Sequence, residues 1–63
     1  MTVTAQQVQN LWDNGGTLDR GQGHEPVHQQ ELGEMGDIDV HDDGTLGPGM
    51  AQVLADQINS YDA

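Results

Sequence analysis

Large apolar side chains are scarce in this chain, and that shortage limits what it can fold into. Leu, Ile and Val supply twelve of the 63 residues, with one Trp, one Tyr and no Phe. Chains with less than about 20 % Leu, Ile, Val and Phe and a high net charge lean towards disorder. Near the C-terminal end, Met50, Val53, Leu54, Ile58 and Tyr61 follow the i, i+3, i+4, i+8, i+11 spacing of a single helical stripe. Pro48 has a preset φ and no amide to satisfy, which suits a first turn, so the pattern predicts a helix over about 48–61. At the other end Val8, Leu11 and Trp12 share a face, with Ala5 beside them. Thr4 with Gln7 matches a capping box and Asn14-Gly15-Gly16 offers an exit, which predicts a helix over about 5–14.

Between them, residues 17–47 read as a loop-rich, Gly-rich, acidic and largely extended segment. Thr17 to Gly23 carries no periodicity and reads as loop. Pro26 to Met35 predicts a short helix with Pro26 in its first turn and Leu32 and Met35 packed inward; Gly33 and Gly36 weaken it, and an irregular extended path is the alternative. Ile38 and Val40 alternate with Asp37, Asp39 and His41, as in a half-buried strand. Asp43-Gly44 then predicts a tight turn and Thr45-Leu46 a return strand, which together make a short β-hairpin near 37–46. The expected fold class is mainly α with irregular regions. The two terminal helices flank this middle in a single small domain over 1–63, or in a chain ordered by a partner.

The charge narrows the partners. Eleven carboxylates face one arginine and no lysine, for a formal charge of −10. Nothing here neutralises phosphates, so direct nucleic-acid binding is disfavoured, and anionic membranes are disfavoured for the same reason. A basic protein surface is the natural counterpart, because opposite charge speeds encounter and fixes orientation. A mimic of nucleic acid is a rarer reading, and acidity that only keeps the chain soluble is the bland one. Without cysteine there is neither a disulfide nor a thiolate metal site. No apolar run approaches the ~18 residues of a membrane span, and the N-terminal residues lack the basic and apolar regions of a secretory signal. The expectation is a cytoplasmic or virion-associated protein.

Two stretches resemble metal-binding patterns. His24-Glu25-Pro26-Val27-His28 spells the H-E-x-x-H letters of zinc proteases. That chemistry needs both histidines on one helical face, and Pro26 disfavours helix at Glu25. His41 or Glu31 would have to complete the ligand set. Asp39 to Leu46 resembles the front of an EF-hand calcium loop, with Asp39, His41 and Asp43 at its first, third and fifth positions and Gly44 at the sixth. His41 is a poor ligand for a hard cation, and Met50 stands where the loop needs a bidentate Glu. Asp39, His41 and Asp43 are therefore the candidate metal ligands, with calcium the candidate cofactor.

An enzyme is not expected. The chain has no cysteine nucleophile, no lysine for a Schiff base, no phosphate-cradling loop with a lysine, and little wall to exclude water from a site. Gly15-Gly16 and Gly21-Gln22-Gly23 read as flexible turns. The leading expectation is a small acidic accessory protein laid against a larger, basic protein or assembly, as a cement or decoration piece of a capsid, an inhibitor or a small subunit. Its contact residues would come from the two stripes: Val8, Leu11 and Trp12, and Met50, Val53, Leu54, Ile58 and Tyr61. A calcium-dependent module, a nucleic-acid mimic and a homo-oligomer are the alternatives.

Overall fold

A computed structural model describes residues 2–21 and 23–61. Three helices and a two-stranded antiparallel hairpin follow in the order α1 (Ala5–Asn14), β1 (Thr17–Leu18), β2 (Val27–His28), α2 (Gln29–Leu32) and α3 (Met50–Ser60).

Helix α1 forms as its caps dictate. The Gln7 amide donates to Thr4 Oγ1 (3.2 Å) and the Thr4 amide donates to Gln7 Oε1 (2.9 Å), so two orphan donors are satisfied reciprocally. At the exit, the Gly15 amide donates to the Leu11 carbonyl at 2.9 Å with φ at +78°.

Helix α3 begins at Met50, two residues later than the sequence predicts. Pro48 is not in its first turn. It occupies the second place of a turn in which the Met50 amide donates to the Gly47 carbonyl (3.2 Å), and Gly49 follows at φ 76°, ψ −5°. Proline then a left-handed glycine is the type II arrangement, and it aims the chain into the helix. Gly49 O then accepts from Val53 N at 3.1 Å, the first helical bond.

The middle is more regular than its composition suggests. Thr17 pairs with His28 and Leu18 with Val27, so a segment expected as loop is half of a hairpin. Its strands are too short to show alternation. The helix expected over 26–35 shrinks to Gln29–Leu32. Val27 and His28 belong to the strand, and Pro26 stands before it. The Glu31 carboxylate accepts from the His28 amide (3.4 Å) at the helix start.

A second hairpin lies where it is expected, but with one bridge pair, Val40 and Leu46. The His41 amide donates to Thr45 O (2.8 Å) and the Gly47 amide to Asp39 O (2.7 Å). Its turn is shifted by one residue. The Gly44 amide donates to His41 O (2.9 Å), which puts Asp42 and Asp43 at the centre, with Gly44 following at φ +90°. That is the glycine a three-residue hairpin loop requires.

Each of these elements except β1 contributes to one core: Val3, Val8, Leu11, Val27, Leu32, Leu46, Met50, Leu54, Ala55 and Ile58 are buried, and Trp12, Leu18, Met35 and Ile38 pack partly against it. No charged or polar side chain among the described residues is buried. Long-range amide bonds fasten the shell. Asn59 accepts from Val3 N and donates to Val3 O, both at 2.9 Å, which ties the lead-in of α1 to the last turn of α3. Gln57 Nε2 donates to Met35 O at 2.9 Å.

Candidate interaction surface

The two apolar stripes face each other and not outward. Of the residues expected to meet a partner, Val8, Leu11, Met50, Leu54 and Ile58 are buried in the chain's own core. Burying both stripes within one molecule removes the apolar area that docking each stripe separately would have used. Trp12 is half-buried, while Val53 (54 % exposed) and Tyr61 (61 %) remain at the surface. Gln57 lies one turn from each of these two, and its Nε2 also donates to Tyr61 Oη at 3.0 Å.

Trp12 sits where three segments meet. Its indole Nε1 donates to the carbonyl of Gly44, at the turn of the second hairpin (2.8 Å). Gln29 reaches back from the first residue of α2 and donates from Nε2 to the Trp12 carbonyl (2.6 Å). That carbonyl lies in the last turn of α1, where helix carbonyls lack intrahelical partners, so Gln29 acts as a remote cap. The result is an open cleft of about 330 Å³ lined by Trp12, Gln29, Gln30, Gly33 and Gly44. Two further open clefts are lined by Gly16, His28, Gln29 and Gln30, and by residues of α1, β1 and Gly15 between them. Sequence reasoning singled out Trp12 but not Gln29 or Gln30. No local pattern marks a glutamine whose partner lies 17 residues away.

The carboxylates occupy the surface. Asp13, Asp19, Glu25, Glu34, Asp37, Asp39, Asp42, Asp43 and Asp56 are exposed, and Glu31 is half-buried. Asp43 has a structural task. Thr45 donates to its Oδ1 from the hydroxyl (2.7 Å) and from the amide (3.0 Å). Those two bonds, with a smaller contribution from nearby His41, hold the Asp43 carboxyl below the usual aspartate range.

The residues proposed as metal ligands do not assemble. Among the described residues no three His, Asp or Glu side chains converge on a point where an ion could sit. Asp39, His41 and Asp43 belong to a hairpin, in which Asp39 O and His41 N and O are committed to the ladder and turn. An EF-hand loop wraps its ligands around the ion instead. His24 and His28 share no helix: His28 ends β2 and His24 precedes that strand. No helix among the described residues is long and apolar enough to cross a membrane. Comparison with protein-family models, with curated proteins and with solved structures finds no match to the chain.

Proposed function

We propose that the protein is a small, non-enzymatic binding module that docks on a larger protein through electrostatic complementarity to a basic surface. The observation that carries this reading is the display of charge. Nine carboxylates are exposed on a molecule whose only Lys or Arg is Arg20, at a formal charge of −10. Such a field accelerates encounter with a basic surface and repels a second copy of the same chain, so a heterologous partner is favoured over self-association. The shape supports binding over catalysis. The clefts are open and lined largely by amide side chains and glycine, which offer hydrogen bonds but little enclosure from water. A cement piece on a large assembly, an inhibitor or a small subunit would each use this arrangement.

The test is photo-cross-linking in an extract of the native cell, at set ionic strengths, from a probe placed at exposed Tyr61. The expected result is capture of a protein with a basic contact face. Capture should fall as salt rises, and fall again in the variant Asp37→Asn/Asp39→Asn/Asp42→Asn. Capture indifferent to both, or an acidic contact face, would overturn the reading.

A further inference from the structure

We propose that the cleft between α1, α2 and the turn of the second hairpin receives an arginine side chain of the docked protein; this rests on the preceding reading of a basic partner. The wall is pre-formed. The single polar atom of the Trp12 ring is fixed on Gly44 O and the Trp12 carbonyl on Gln29 Nε2, so the indole is held in place before anything arrives. At about 330 Å³ the cleft stands at the low end of ligand sites, large enough for one long side chain and small for a cofactor.

Its chemistry favours a cation. An indole face attracts a cation more strongly than any other side-chain ring. Gln29 has committed its Nε2 to Trp12 and its Oε1 lies towards Gly15, so exposed Gln30 is the amide left to offer an oxygen to an incoming donor. No charged side chain lines the cleft itself, so the attraction for a cation comes from the indole, the amide oxygens and the field of a chain of formal charge −10. A planar guanidinium can stack on the ring while its edge donates to amide oxygens, which an ammonium cannot do. A second copy could present only Arg20, and would have to approach against mutual repulsion.

Trp12 is the sole tryptophan, so its indole N–H resonance and its fluorescence report on the cleft directly. The intact protein is titrated with hexa-arginine, hexalysine and hexacitrulline peptides. The same titrations use Gly33→Leu, which would fill the cleft. Gly33 has φ −71°, and the nearest atom to an added Cβ is Gln30 O at 3.7 Å, so the backbone tolerates a side chain there. Gln30→Arg, at an exposed site, places a competing cation at the cleft should Gly33→Leu fail to fold.

The expected result is a saturable indole shift with hexa-arginine, less with hexalysine and none with hexacitrulline, and binding about tenfold weaker in either variant. Equal indole shifts from arginine and lysine, or from arginine and citrulline, would overturn the proposal. Binding that leaves the indole unmoved, or that the variants do not weaken, would overturn the cleft while leaving a basic partner standing. No binding of either cationic peptide would remove both.

Discussion

Single side chains that reach across the fold hold this molecule together, and they are open to direct test. Asn59 presents both ends of its amide to the Val3 backbone. Asn59→Ala strands a donor and an acceptor and should cost about 1–3 kcal/mol. Asn59→Asp keeps the acceptor but sets a carboxylate oxygen against Val3 O, and should cost more than Asn59→Ala. Thermal melts of both variants check the order; a reversed order would mean that the amide is not the clamp. Asp43 gives a pH-dependent case. Its carboxyl is lowered by Thr45, so the turn's extra stability is complete above the usual aspartate value and is lost as pH falls through the lowered one. The Thr45 amide resonance should therefore titrate with a midpoint below that of a free aspartate, and in Asp43→Asn that titration should vanish. At this scale the capping box of Thr4 and Gln7 was legible, because its partners are three residues apart. The bonds from Asn59 and Trp12 were not, since they span 56 and 32 residues and no local pattern encodes them.

Among the elements, turns decide the boundaries. Gly49 at φ 76° has nothing within 4 Å of an added Cβ, so Gly49→Ala isolates backbone strain and should destabilise by about 1–2 kcal/mol. Gly47 is the opposite case. A Cβ there would stand 2.6 Å from Asp39 Oδ2 and 2.9 Å from Asp39 O. Gly47→Ala should break the 2.7 Å bond from Gly47 N to Asp39 O, seen as faster amide exchange at residues 41 and 47. Slow exchange retained at both would show that the hairpin gives way elsewhere. The two long helices were readable because apolar period and cap signals coincide over ten or eleven residues. β1 was not readable, because two residues between glycine and aspartate carry no period. Pro48 misled by two residues: proline serves a helix start and the second place of a type II turn equally well, and only the left-handed Gly49 separates them.

Taken whole, the chain has a radius of gyration of 11.0 Å, close to the roughly 10.6 Å expected of a folded domain of its length. Low apolar content suggested a chain short of a core, but nearly every element places a side chain in the same cluster. Seven of the nine glycines lie at positive φ, so they shape turns where composition alone suggested slack. Stability of a domain this size is still only about 3–9 kcal/mol. Leu32→Ala removes a fully buried side chain and should cost about 2–5 kcal/mol, enough to populate the unfolded state measurably by circular dichroism. Raising salt from about 0.01 to 0.15 M shortens the screening length from about 30 to 8 Å, and should raise the melting temperature by relieving repulsion within a chain of charge −10. A melting temperature that falls would show that attractive contacts of the charged groups outweigh their mutual repulsion in the folded chain.

The clasp between Val3 and Asn59 has a consequence for how the polypeptide can be rewired. It brings Val3, just ahead of α1, and Asn59, in the last turn of α3, within an amide's length of each other. A short peptide joining them would follow a path the native contacts already trace, and fresh ends could be opened in the 19–26 stretch linking the first pair of strands. Such a circular permutant should keep the same packing, because order along the backbone would change while neighbours in space would not.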